Sequence, residues 1–460
     1  MRLNRGTAMS LSTELADYCV STRYEAVPAA AVLRAKGVLL DELCCMVLGR
    51  RLPAGELLGR YVASLGGGQE ATVAGTAVRA PRAFAALANG TAGHADELDG
   101  AHITEGHPGA TLVATCLAVA EKQRASGREL LNALVLGYDL ATRLVDTVGG
   151  RYHLLTTRHV HTDFLHAFGA AAGASRLLGL SADQHRHAWA LTACQAISLA
   201  AFFEEREHLS KSFTYGHGAY AGVTAAVLAE LGMEGNDDVF GAKHGVLAAW
   251  GGHDRAGVLL AGLGTDFAVM DVNFKFYSAG YPIHAQIEAT LGLMRDHGLR
   301  TADIAGIDVR ATTECVEVVD GRRMPSISAQ VMLPVAMIAG KLGFAEAHNE
   351  DNLRDPEVKR LGDTMTLTAD AEMDRENHRG RGAAVTLRTT DGRELFRHVR
   401  WPHGHCRAGD ITWDELVGKC HGMVDEDLGP AQVDELADVI AGLDGVDDLS
   451  ALTRLLVPRT

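Results

Sequence analysis

At 460 residues the chain is long enough for two or three domains of ordinary size. Hydrophobic content of 47% and charged content of 22% describe a normal soluble globular protein. The formal net charge of −15 argues against nucleic acid and against an anionic membrane surface as partners.

An acidic chain that binds an anionic small molecule must gather cations locally. The eight cysteines form no C-x-x-C pair, and most lie in apolar helical runs where they act as small hydrophobes. A reducing cytoplasm is expected, and a cysteine-built zinc or iron–sulfur centre is not. The leading MRLNRGTAMSLSTELADYC lacks an apolar h-region, so no secretory signal is expected. No uncharged apolar run reaches the roughly 18 residues of a membrane span.

The chain opens with three predicted helices, Leu11 to Val20, Pro28 to Leu48 and Leu52 to Leu65, ended by Gly66-Gly67-Gly68. Ala71 to Val78 reads as a turn or strand pair. Pro81 opens a helix, Ala83 to Asn89, which leads into HADELDGAHITEGHPGA, residues 94 to 110. That stretch holds His94, His102 and His107 with Asp96, Glu97, Asp99 and Glu105, the densest proton-transfer chemistry in the sequence. Pro108 suits the first helical position, and Ala110 to Gln123 is apolar nearly all round, as a buried helix is. Ser126 with Glu129, and Ser181 with Gln184, form capping boxes for helices from Leu130 to Val148 and from 181 to about Ala200. Between them, residues 149 to 162 read as irregular and carry His153, His159 and His161, and Phe164 to Leu178 is helical. Residues 203 to 217 are polar around Lys211. Gly218, Gly222 and Ala226 then repeat on one helix face.

Around Asp271 the texture changes. Ile283, Ile287, Leu291 and Met294 mark an amphipathic helix, and strand-like alternation appears at Ile307–Val309 and Met365–Leu367. Val385 and Leu387 face Leu395 and Val399 across an Asp391-Gly392 turn. Thr412 and Glu415 cap a return to helix, and Ala431 to Leu456 is largely helical again. The fold class is mainly α: a large helical domain built from both chain ends (1–269 and 408–460) and a smaller inserted α+β lid (270–407).

His107 at a helix N-cap sits where backbone N–H groups and the helix dipole attract anions, so it is placed to move a proton beside a carboxylate. A purely capping role stands against this. His94, His102 and His107 as metal ligands lack the i, i+4 spacing of a helical zinc site. Lys211 and Lys275 each precede a helix in small-residue surroundings, which suits a cation holding a carboxylate. Tyr215, Tyr277 and Tyr281 are candidate hydroxyl donors. Either His159 or His161 is a candidate in the irregular segment.

The stretches ALANGTAGHADELDGAHITEGHPGATLVATCLAVAEKQRASGRELLNALVLGYDLATRL, HAFGAAAGASRLLGLSADQHRHAWALTACQA, KSFTYGHGAYAGVTAAVLAELG and KFYSAGYPIHAQIEATLGL together resemble the MmgE/PrpD family of 2-methylcitrate dehydratases and cis-aconitate decarboxylases. The resemblance implies a homodimer with an active site between helical domain and lid, needing no metal or organic cofactor. It implies a lyase acting on a small polycarboxylate. It further implies a catalytic set of His107, His161, Lys211, Lys275 and Glu97. His102, His159, Tyr277 and His284 are then substrate-binding, with the second-histidine position filled by His161 or His159. Four positions depart from the family pattern: Glu97 and Gly100 for aspartates, Ala101 for threonine, and Gly280 where the decarboxylase branch has histidine. They imply a substrate other than cis-aconitate or 2-methylcitrate. Alternatives are an epimerase or isomerase on the same site, a metal-dependent hydrolase using the histidines, and a non-catalytic relative.

Overall fold

Alanine- and glycine-rich apolar runs make helices that can bury on every side, and these form the first core. The computed structural model describes residues 9–103, 106–377 and 381–459. The helices Ala29–Gly49, Pro108–Gln123, Gly127–Thr147, Asp163–Leu177 and Ser210–Glu230 are each largely buried. The late helix Trp413–Leu428 packs against Ala29–Gly49, and Pro430–Ala441 packs beside it. The fold is mainly α, as expected.

The expected capping boxes at Ser126–Glu129, Ser181–Gln184 and Thr412–Glu415 all form. Three expected boundaries shift. Helix Arg82–Gly93 runs four residues past Asn89, because small residues there pack against Ser210–Glu230. A Cβ on Gly216 would stand 2.1 Å from Thr91 Oγ1 and 2.3 Å from Leu87 O, so these two helices touch backbone to backbone. Helix Ala182–Ala193 stops short of Ala200, since Leu199 bridges to Val160 and Ser198 O accepts the His161 N–H (3.1 Å). Ser210–Glu230 begins before Lys211, with Glu205 accepting the Ser210 N–H (3.2 Å). The segment read as irregular is one helical turn, Arg151–His153, and a wide π-type turn, Leu154–Arg158. His159 closes it in the left-handed region at φ 56°.

A second core gathers residues between Ala279 and Leu387. Its sheet runs Met365–Ala369, Ile304–Ala311, Ala383–Thr389, Glu394–Val399, with the first pair parallel and the others antiparallel. The hairpin turns at Asp391-Gly392 and pairs Leu387 with Leu395. The chain passes between the two cores twice, side by side: Phe274 N donates to Gly404 O (2.9 Å) and Cys406 N to Asn273 Oδ1 (2.8 Å). Among the described residues, no helix is long and apolar enough to cross a membrane.

Candidate active site

The stretch after Gly93 leaves its helix at His94. It pairs Ala101 and His102 with Asn273 and Val272, and enters the next helix at Pro108. His94, Asp96, Glu97, Asp99, His102 and His107 are all buried there. Glu105 lies outside the described residues. Burial of so many ionisable groups requires that they compensate one another.

Glu97 is the centre of that compensation. Lys211 donates to its Oε1, Lys275 Nζ lies 3.0 Å from Oε2, and His208 Nε2 lies 3.0 Å from Oε1. Burial opposes ionisation of Glu97, but Lys211 and Lys275 outweigh it and hold the carboxyl well below its usual range. Lys275 also reaches Asp99 Oδ1 at 3.4 Å. Burial would discharge Lys275, and Glu97 with Asp99 keep it charged instead.

Asp99 Oδ2 meets two imidazoles, His94 Nδ1 at 2.8 Å and His107 Nδ1 at 3.2 Å. His107 Nδ1 is also 3.2 Å from Gly100 O. Facing a carboxylate and a carbonyl, that nitrogen carries the proton and donates, so Nε2 is the nitrogen available to a ligand. The ring makes no side-chain cap to its helix, so the purely capping role fails. Burial lowers the His107 pKa, Asp99 partly opposes the shift, and the ring is neutral near pH 7.

His161 repeats the arrangement. Its Nδ1 lies 3.2 Å from Asp163 Oδ1, while Asp163 Oδ2 accepts from Ser198 Oγ (3.1 Å) and Thr214 Oγ1. Burial opposes ionisation of Asp163, but His161 and the hydrogen bonds hold it down at about 2. Both imidazoles sit edge-on to Tyr215, at centroid distances of 6.1 and 6.4 Å.

His107 and His161 line one cavity of about 40 Å³ with Glu97, His102 and Lys211. Arg151 and Arg381 supply further positive charge, and Phe203, Val318 and Ile327 give apolar wall. Ala101 and Gly280, two of the departing positions, also face this space. Lys275 is fully buried behind Glu97 and is committed to protein carboxylates.

Three expected substrate-binding residues lie elsewhere. His159 is exposed, held by the π-type turn, and borders a separate groove with Leu199 and Glu317. Of the two open choices, His161 is therefore the one on the cavity. Tyr277 lines a groove of the second core with Arg295 and Leu299. His284 donates from Nε2 to Ala279 O (3.1 Å) and packs between Tyr277 and Tyr281. Burial pushes it down to about 3, which makes it a neutral core residue.

Asp163, His208, Arg151 and Arg381 were not singled out from sequence. Asp163 stands two residues after His161, a local pairing that sequence could have offered. Arg381, by contrast, arrives from more than 200 residues away and leaves no local signal.

Among the described residues, two groups could present ligand atoms to a metal ion: His94, Asp99 and His107, and His94, Glu97 and His208. In each, a lysine ammonium already meets the carboxylate, at 3.4 Å for Lys275 on Asp99. The donor sets fit internal ion pairing better than a dication.

A small polar cavity walled by paired, pKa-shifted side chains is a setting suited to proton-transfer chemistry. Residues 13–258 match the MmgE/PrpD N-terminal domain and residues 277–444 the MmgE/PrpD C-terminal domain. The chain belongs to the MmgE/PrpD family. It is 23% identical to a cis-aconitate decarboxylase of Aspergillus terreus, covering 97% of this chain and 96% of that one. It is 26% identical to a cis-aconitate decarboxylase-like protein of Aspergillus oryzae, covering 97% of each. With the cis-aconitate decarboxylase of Homo sapiens, identity is 25% over 92% of this chain and 90% of that one.

Proposed function

We propose that the protein is a lyase, a dehydratase or decarboxylase, acting without a cofactor on a small di- or tricarboxylate. The carrying observation is the pair of aspartate-backed imidazoles, His107 on Asp99 and His161 on Asp163, lining one cavity beside Lys211 and two arginines. Each aspartate fixes the tautomer and steadies the imidazolium formed when its histidine takes a proton. In a dehydration one histidine removes the proton at the carbon α to a carboxylate, and the other donates a proton to the departing hydroxyl, which leaves as water. In a decarboxylation the C–CO₂ bond breaks and one histidine donates a proton to the carbon that keeps the electron pair. Glu97 holds Lys211 and Lys275 in place, and the exclusion of water strengthens every charge in the site.

The relatives' names support this class of reaction. Ala101 and Gly280 on the cavity wall support a substrate other than cis-aconitate itself, since each lacks a polar group found in the decarboxylase branch. Residues 270–407 act as a lid over the helical part. By family resemblance the working form is a cytoplasmic homodimer.

A thermal-shift screen of small di- and tricarboxylates tests the reading. A ligand at about 100 times its Kd adds about 2.7 kcal/mol. If none stabilises the protein, the proposal fails. Two backed histidines on one cavity also suit a second reading, an epimerase that removes and returns one α-proton. Deuterium wash-in at the α-carbon of the bound acid, without net loss of water or CO₂, selects it.

A further inference from the structure

We propose that Arg381, facing Arg151 across Glu314, is the specificity element for a second, distal carboxylate, so that the substrate carries at least two. The inference rests on the carboxylate reading above and goes further by assigning the end of the molecule away from the histidines.

Arg381 comes from the second core, just ahead of strand Ala383–Thr389, and is only 7% exposed. Its Nη2 lies 3.1 Å from Glu314 Oε1, and Arg151 Nη2, from the first core, pairs with that same oxygen. One carboxylate oxygen thus serves two guanidiniums brought together from opposite cores. Arg381 Nη1 lies 3.6 Å from Cys315 Sγ, a weak acceptor for a charged donor. Buried arginine seeks planar, two-point acceptors, and a carboxylate is the acceptor its fork matches. Both arginines line the cavity, while Glu314 does not.

The lysines are a poor alternative for this task. Glu97 engages both of them and Asp99 engages Lys275 again. A carboxylate entering near Arg381 meets guanidinium N–H groups without first displacing the Glu97 network. Val318 and Ile327, on the wall of the same cavity, have side chains that offer no competing hydrogen bond. A chain with carboxylates at both ends would then lie with one end at the imidazoles and the other at the arginines.

The experiment compares matched probes on the intact protein: succinate, glutarate and citrate against monomethyl succinate and monomethyl glutarate, with Kd read by calorimetry. Wild type should bind the best diacid at least about tenfold tighter than its monoester, the scale of a charge-assisted hydrogen-bond pair. Arg381→Gln should weaken the diacid by about tenfold or more and the monoester by less than about twofold, erasing the preference. Arg151 still compensates Glu314 in that variant. Should Arg381→Gln not fold, Arg381→Lys keeps charge without the fork and must still reduce the preference. If diacids bind wild type and the preference survives in the variants, the inference is overturned while the carboxylate reading stands. If no acid in the panel binds wild type, both fall together.

Discussion

Lys275 Nζ stands 3.0 Å from Glu97 Oε2, with both side chains shut away from water. The pair joins the opening stretch of the site to the segment that leads into the second core. Replacing Lys275 by methionine leaves Glu97 and Asp99 short of a counter-charge in a buried setting. Loss of about 3–5 kcal/mol is expected, measured by urea denaturation. Lys211→Met should cost less, because Lys275 and His208 still hold Glu97.

Asparagine at His107 or at His161 should each reduce kcat/KM by about 10²–10⁴-fold with little change in melting temperature. Retention of full turnover by either folded variant would remove that histidine from the mechanism.

Asp163→Asn should lower turnover less than His161→Asn. The substitution keeps the imidazole but removes the carboxylate 3.2 Å from its Nδ1, the partner that fixes the ring's tautomer and orientation. Full turnover in the folded variant would indicate a structural role alone.

Stability should fall on acidification below neutrality. His185 is held at about 4 and His284 at about 3, both below the ordinary 6.5. Between those values the unfolded chain binds more protons, so each histidine costs about 1.4 kcal/mol per pH unit as pH drops. Asp139, raised by burial to about 6 from 3.8, works the other way between those two values. Together the three groups make the protein about 3 kcal/mol less stable at pH 5 than at pH 7. His185→Gln should remove about 2 kcal/mol of that difference in paired urea melts.

Dialysis against a strong chelator should leave turnover of the identified acid unchanged. Loss of activity restored by one divalent metal would favour the His94, Asp99 and His107 group as a metal site instead.

Much of the first core was legible because its signals are local. The three capping boxes need only a serine or threonine and its partner three residues on, and Pro108 announces its helix unaided. Boundaries moved where tertiary contact decides. Arg82–Gly93 is lengthened by the close approach of Gly216, and no rule applied to residues 89 to 93 alone foresees that neighbour. The histidines of the site were visible as a cluster, yet which of His159 and His161 reaches the cavity depends on a π-type turn. Tyr277 and His284 follow Lys275 closely in sequence, but the chain turns them into the second core. Arg381 meets Arg151 only through the sheet of that core, so proximity in sequence gives no hint of it.

The two strands of chain that join the cores, near 273–274 and 404–406, are hydrogen-bonded to each other. Mechanically they form a single hinge pin rather than two independent tethers. Movement of the cores about that pin would break the Arg151–Glu314 contact between them. A turnover limited by such a movement would slow as solvent viscosity rises.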